Sequence, residues 1–204
     1  MSKFTLDQQR EQFRHRRFLA MPLAGMIVWT VIGFIGFFAN SMETKIWSIW
    51  LGSGAIFYLG ICFAKLTGED FFNRKKEKNE FDNLFMAGVV MALLVFSIVM
   101  PFAMKESTSI PMSVGILGGL MWMPLSWAIQ HWIGYFHSIA RTLAVTICYF
   151  VSPEHTFVTV PAVIVVIYII SIIAQEKRYA KINGIKNARN VALKDEMLTA
   201  SPAK

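Results

Sequence analysis

Residues 84–104 read LFMAGVVMALLVFSIVMPFAM, a run of 21 residues without a charged side chain. A bilayer core of about 30 Å is crossed by roughly 20 apolar residues in a helix. The run at 157–174, FVTVPAVIVVIYIISIIA, is rich in Val and Ile, which favours strands in water. In lipid, a lone strand leaves its backbone groups unpaired. Both runs therefore predict membrane-spanning helices.

The composition of the whole chain agrees with this interpretation. Of the 204 residues, 55% are hydrophobic and 16% charged, and the mean hydropathy is +0.48. A soluble domain is typically about 25% charged. The net charge of +7 comes from basic residues that cluster beside apolar runs, so we expect no nucleic-acid binding. Cys62 and Cys148 both lie inside apolar runs, so no disulfide scaffold is expected.

Six apolar runs predict an all-α, polytopic bundle of six transmembrane helices. A basic segment, 1–17, precedes the membrane domain 18–174, and a basic tail, 175–204, follows it. We expect the last helix to end near Gly184 and the tail to fray beyond it. One helix over 113–151 would overrun the bilayer, so a turn is expected around Gly134. The predicted spans are 18–40, 46–66, 84–104, 113–132, 137–152 and 157–174.

The distribution of Lys and Arg predicts the orientation. With six spans, 18 of the 20 basic residues fall on one side and two on the other. With five spans the tail would change sides, and the division would be 11 against nine. Because cytoplasmic loops carry the excess of basic residues, six spans with both termini in the cytoplasm are favoured.

Signatures of catalysis are absent from the sequence. It contains no H-E-x-x-H, G-x-S-x-G or P-loop pattern, and no Asp or Glu falls within a predicted span. We therefore expect no enzyme activity, no catalytic residues, no metal site and no cofactor.

One group of polar residues stands out near the predicted turn between spans four and five. On each side of that turn, helical periodicity brings its members toward one stripe. One interpretation is an interfacial cluster in which Arg141 extends to the headgroups and the histidines face them. The other is a polar vestibule that binds an anionic headgroup or solute, with Arg141 as the positive anchor. The candidate binding residues are Ser126, Gln130, His131, His137 and Arg141.

Gly115 and Gly119 form a G-x-x-x-G pattern in the fourth span, which permits close helix packing in lipid. The same spacing is compatible with a homo-oligomer. The expected partners are the lipid bilayer itself and anionic headgroups at the basic flanks.

Four segments carry a family resemblance: FRHRR at 13–17, IVW at 27–29, GSGAIF at 52–57 and KLTGED at 65–70. The chain resembles small bacterial multi-span membrane proteins grouped as a domain of unknown function. The resemblance covers most of the chain, through about residue 173. It implies a bacterial cytoplasmic membrane location and transfers no activity and no site residues.

Three classes of function remain open at this stage. A non-catalytic membrane component or accessory protein is favoured by the G-x-x-x-G pattern and the missing chemistry. A small-solute or headgroup transporter or binding protein is suggested by the polar cluster at the turn. A membrane enzyme is disfavoured, because no nucleophile–base pair is visible.

Overall fold

The structure, a computed structural model, describes residues 4–69 and 79–199, with side chains described as far as Gly184. The basic loop at 74–78 lies outside the described residues, as do Lys3 and the predicted frayed end at 201–204. Every regular element in the described part is helical. The helices are α1 (Leu6–Arg14), α2 (Ala20–Phe38), α3 (Met42–Thr67), α4 (Glu80–Lys105), α5 (Ile110–Leu120), α6 (Trp122–Ile129), α7 (Ile133–Val151) and α8 (Thr156–Thr199).

Within residues 4–69 and 79–199, five segments are long and apolar enough to cross a membrane. α7 is not one of them, although its 19 residues reach about 28 Å at 1.5 Å per residue. His137, Ser138 and Arg141 reduce its apolar character. The five are Ala20–Phe38, Met42–Thr67, Glu80–Lys105, Ser107–Ile129 and Pro153–Gly184. The chain is thus all-α, with a membrane protein's complement of apolar helices.

Successive long helices run in alternating directions. At the end of the bundle where α1 lies, Glu69, just beyond α3, accepts hydrogen bonds from the first backbone amides of α2. The ring of Phe13 in α1 lies 5.8 Å from that of Phe81 at the start of α4. At the opposite end, the Thr156 hydroxyl at the start of α8 donates to the Thr108 carbonyl, at 2.9 Å.

The core lies between α2, α5, α7 and α8, whose facing surfaces are closely packed. Trp29, Val145 and Ile164 are buried there. Gly36 allows α2 to approach the Phe157 backbone so closely that any side chain would collide with the carbonyl. By contrast, α3 and α4 turn most of their apolar side chains outward, as expected of helices that face lipid.

The connection between the fourth and fifth predicted spans differs from the sequence-based expectation. The fourth segment bends at Met121, and the turn falls at 130–132, where Gln130 adopts a left-handed conformation with φ of 51°. Gly134, predicted to lie at this turn, is instead inside α7, pressed against the Trp122 carbonyl and Ser126. It is needed for close contact between α6 and α7, and α7 begins four residues before the predicted boundary at 137.

α1 covers one end of the bundle and is fixed by several polar contacts. Thr5 and Gln8 form a capping box at its start. The Gln9 side-chain oxygen accepts from the Glu80 amide at 2.9 Å, and Asn79 donates to the Gln9 carbonyl at 2.8 Å. Arg178 of α8 donates to backbone carbonyls at the end of α1. The N-terminal segment is therefore an ordered part of the fold.

The final helix is longer than the sequence suggested. We expected it to end near Gly184, whereas α8 continues as far as Thr199. Gly184 lies inside the helix, so it does not end the helix there. No heavy atom of the described residues lies near the position of its missing side chain. The residues after it include Ala188, Ala192, Leu193 and Leu198, which are good helix formers.

Candidate functional site

The site is centred on Arg141, the ninth of the 19 residues of α7. Its side chain is only 1% exposed. The guanidinium carbon lies 5.4 Å from the centre of the Trp29 ring and 5.3 Å from that of Tyr168. In the described part of the chain, no carboxylate lies within ion-pair distance of it. Arg141 therefore does not extend to the headgroups as the interfacial interpretation expected.

Two glycines of α5 make room for the arginine. A methyl group on Gly119 would stand 2.9 Å from Arg141 Cδ, and one on Gly118 would stand 3.1 Å from Nη2. Both distances are too short for ordinary packing. Gly115, one turn earlier, faces Ile164 and Val145. The G-x-x-x-G glycines are thus used within this chain, where they hold α5 against α7 and α8.

The hydrogen bonds of Arg141 leave one edge of its guanidinium free. Nη1 lies 3.4 Å from His137 Nε2, a long hydrogen bond. Nε is buried, and among the described residues neither Nε nor Nη2 has a hydrogen-bond acceptor. Nε and Nη2 form the edge that arginine uses to bind a carboxylate or phosphate through two parallel bonds.

His137 is fully buried, and its tautomer follows from its neighbours. Because a guanidinium can only donate, His137 Nε2 must accept from Arg141. The proton then sits on Nδ1, which donates to Ser171 Oγ at 2.8 Å. The imidazole stacks on Trp122, with ring centres 3.9 Å apart, and lies 4.9 Å from Tyr168. The histidine is therefore neutral in this arrangement.

A buried polar row continues along α8 toward the α1 end of the bundle. Tyr168, Ser171, Gln175 and Arg178 follow one another at spacings of three and four residues, so they share one face of the helix. All four are at most 5% exposed. The Arg178 Nε donates to Gln175 Oε1 at 2.9 Å, whereas Gln175 Nε2 is buried without a partner.

The row ends where α8 meets the N-terminal segment. Arg178 donates to the carbonyls of Arg14 and Arg16 at 2.7 and 2.8 Å. Next to it, Arg17 forms a two-point ion pair with Glu176, which raises the Arg17 pKa above its ordinary value. The row thus reaches from the middle of α7 to the covered end of the bundle.

The five candidate binding residues predicted from the sequence do not all lie together in the structure. His137 and Arg141 are in contact inside the bundle. Ser126 is buried on α6, where it donates to the His131 carbonyl in the turn and accepts from the Tyr135 amide. Gln130 is exposed and contributes nothing to the buried row. His131 is half-buried, and burial, aided by the charge of Arg178, lowers its pKa.

Sequence reasoning missed the partners from other helices, namely Trp29, Tyr168, Ser171, Gln175 and Arg178. The three-and-four spacing on α8 is visible in the sequence, but the predicted boundaries place the residues from 175 onward in the basic tail. Trp29 gave no signal, because an aromatic residue within an apolar span is ordinary. Among the described residues, no group of three His, Cys, Asp or Glu side chains is placed to hold a metal ion.

Comparison with known proteins gives a family. The model of a family of unknown function, DUF7010, matches residues 6–176. The chain belongs to this family. The match confirms the resemblance noted in the sequence, and it runs from α1 to the part of α8 that carries Gln175. No curated protein and no solved structure matches the chain.

Proposed function

We propose that this member of DUF7010 is a non-enzymatic, six-span membrane protein that binds an anionic group at Arg141. The ligand is an oxyanion, either the phosphate of a lipid headgroup or a free phosphate. The observation that carries the proposal is the buried guanidinium with its Nε–Nη2 edge unused. The earlier vestibule hypothesis is retained in a changed form, moved from the turn into the bundle.

The positive charge of Arg141 lies inside the bundle without a counter-charge among the described residues. An arginine at the centre of a membrane helix costs about 2.5–3.5 kcal/mol even on the most lenient scale. The rings of Trp29 and Tyr168 offset part of this cost by cation–π attraction. A full counter-charge is missing from the described residues, and a bound anion would supply it.

The shape of the free edge favours an oxyanion. Nε and Nη2 present two parallel N–H groups, which match two oxygens of a phosphate or carboxylate. The Nε–Nη2 edge lies against Gly118 and Gly119, where even a methyl group would be too close, so α5 must move outward for an anion to enter. Gly118 is only partly buried, so this is the side on which such a movement opens the site. We propose that the ligand approaches past Gly118.

We also propose that α7 crosses the membrane as the fifth of six spans, with both termini in the cytoplasm of a bacterial cell. Support comes from the alternating directions of the helices and from the 18-to-2 division of basic residues. The bacterial cytoplasmic membrane rests on the family resemblance. Anionic headgroups at the basic flanks are a further proposed partner.

A second candidate is a non-catalytic accessory component of a larger membrane assembly. It is favoured by the internal hydrogen bonds of Ser126, Ser138 and Ser171, because polar groups paired between helices also hold a bundle together. Since Gly115 and Gly119 face inward, an oligomer would use another face. Crosslinking in native membranes should then recover a defined complex, and a strictly monomeric protein would contradict this candidate.

The anion proposal is tested by binding. The protein in phosphatidylcholine nanodiscs is titrated with inorganic phosphate by calorimetry, and retained phosphatidylglycerol is counted by mass spectrometry in mixed micelles. We expect saturable binding in one arm, which identifies the source as free phosphate or lipid. Arg141→Lys should bind at least about tenfold more weakly, because a lysine has no two-point fork.

Lys105→Gln is the matched control, because it removes one positive charge from an exposed helix end. It should bind like the wild type. If the wild type binds neither phosphate nor phosphatidylglycerol, the proposal is wrong. Equal loss of binding in Lys105→Gln, which removes a distant charge, and in Arg141→Lys, which keeps the charge and removes the fork, would also overturn it, since binding would then not depend specifically on the Arg141 guanidinium.

A further inference from the structure

The second buried group at the site, His137, has an acceptor nitrogen aimed at the positive charge. Its Nε2 accepts from Arg141, and its Nδ1–H is held by Ser171. The groups that face it are Arg141 on its own helix, Tyr168 and Ser171 on α8, and Trp122 on α6. Of these, Arg141 and Tyr168 are the titratable ones, and no described carboxylate is in contact with it.

A proton on Nε2 conflicts with this arrangement when the site is empty. It would replace the acceptor lone pair by a donor, so that two donors would point at each other. It would also place two positive charges side by side in a region of low dielectric constant, where their repulsion is strong. Burial of the imidazole, and then the charge of Arg141, keep His137 neutral as long as no anion is present.

An anion on the guanidinium removes the part of this penalty that comes from Arg141. Its negative charge cancels the field that opposes the proton, and the protonated imidazole in turn attracts the anion. Each event favours the other, and thermodynamic linkage requires the two effects to be equal. The Nη1–Nε2 hydrogen bond is long, at 3.4 Å, and therefore weak, so little stabilisation is lost when protonation breaks it.

We propose that anion binding at Arg141 is coupled to protonation of His137, so that one anion and one proton enter the site together. The proton comes from bulk water and forms an N–H bond at Nε2, while the Nη1–Nε2 hydrogen bond is lost. No electrons are transferred. The site then holds one negative and two positive charges instead of a lone guanidinium. This inference rests on the proposed function and adds a proton to it.

The test measures affinity against pH with anions that do not themselves titrate. Sulfate and dimethyl phosphate are titrated by calorimetry between pH 5 and 8, and the count of retained phosphatidylglycerol gives the same readout if the ligand is a lipid. With one proton taken up, affinity should rise by up to about tenfold for each unit of pH decrease. Calorimetry in two buffers of different ionisation enthalpy counts the protons directly on the wild type.

Variants assign the proton to a residue. His137→Gln keeps one acceptor for Arg141 and one donor for Ser171 but does not titrate, so it should bind with a pH-independent affinity. His131→Gln removes the other histidine near the row and should retain the wild-type slope. The buffer experiment on the wild type decides the stoichiometry even if His137→Gln does not fold.

The outcomes separate this inference from the proposed function. Arg141-dependent binding with a flat pH profile and no proton uptake would overturn the coupling and leave the function standing. A slope that disappears in His131→Gln but persists in His137→Gln would also overturn it. Absence of any Arg141-dependent binding would instead overturn the function itself.

Discussion

At the scale of single residues, the site depends on the absence of side chains at the two positions of α5 next to Arg141. Gly118 and Gly119 leave the space that the guanidinium fills, while Trp29 and Tyr168 cover it from α2 and α8. The guanidinium fits inside the bundle because the glycines of α5 leave space for it, and the two aromatic rings stabilise its charge by cation–π attraction.

A substitution at Gly119 tests this packing. Gly119→Ala places a methyl group 2.9 Å from Arg141 Cδ, so the guanidinium must shift. We expect a loss of about 1–3 kcal/mol in unfolding free energy, the usual range for an overpacked core, together with weaker anion binding. Unfolding in detergent followed by circular dichroism measures the first effect.

Gly54→Ala is the matched control, because no atom of the described residues would contact a methyl group at that position within 4 Å. It should be neutral or slightly stabilising, since alanine is the better helix former. Equal destabilisation by both substitutions would contradict the packing described around Arg141.

Gln130 provides a second test at this scale. It was predicted as a binding residue, but it is exposed in a left-handed turn. Gln130→Ala should therefore leave anion affinity within about twofold of the wild type, as measured by the calorimetric titration above. Loss of binding comparable with that of Arg141→Lys would restore the vestibule at the turn.

At the scale of helices, the arginine that closes the polar row also anchors α1. Arg178 donates to the carbonyls of Arg14 and Arg16 and to Gln175, so three contacts depend on one side chain. α1 is only nine residues long, too short to be stable alone. Its helical state must come from docking.

Arg178→Ala should release α1. Hydrogen bonds to a charged group contribute about 1.5–3 kcal/mol each, so hydrogen exchange at residues 6–14 should become markedly faster. Lys177→Ala, at the exposed neighbouring position, is the control and should leave the exchange unchanged. Unchanged protection of α1 in Arg178→Ala would show that other contacts hold it.

Glu69 gives a pH prediction at the start of α2. Its carboxylate accepts from the Leu19 and Ala20 amides at 2.8 Å, but burial outweighs these bonds and raises its pKa. A raised folded-state pKa means that the folded protein binds the proton more tightly, so this group stabilises the fold as pH falls and the contribution is lost as pH rises through that pKa.

The expected result is a difference between two pH profiles. As pH falls toward the ordinary carboxyl pKa of 4.5, wild-type stability should increase relative to Glu69→Gln, which does not titrate. Chemical unfolding at several pH values measures it. Parallel profiles for the two proteins would mean that Glu69 is not perturbed.

Much of the helical framework could be predicted from the sequence, because apolar runs of about 20 residues are unambiguous in lipid. The turn at Gln130 and the role of Gly134 could not, since a glycine marks a turn and a close helix contact equally well. Periodicity placed His137 and Arg141 on one face, yet it could not say which other helix covers that face. The contacts of Trp29 and Ser171 with them are tertiary, and no local pattern encodes such contacts.

At the scale of the whole molecule, both the six-span arrangement and the anion site at Arg141 depend on α7 crossing the membrane. α7 is not among the five segments that are apolar enough to cross by length and composition alone, and it is the helix that carries Arg141. If it crosses, the arginine lies near the middle of the bilayer, which makes its missing counter-charge a functional question. The basic flanks then lie on one side, as the positive-inside rule requires.

Labelling at the two ends of α7 tests this claim most directly. Single cysteines are placed at exposed Gln130 and Glu154, in a background without Cys62 and Cys148, and intact cells are treated with a thiol reagent that does not cross membranes. If α7 crosses the membrane, we expect Glu154→Cys to be labelled at once, whereas Gln130→Cys should be labelled only after the membrane is permeabilised. Labelling of both positions from the same side would mean that α7 does not cross and that Arg141 does not lie at mid-membrane.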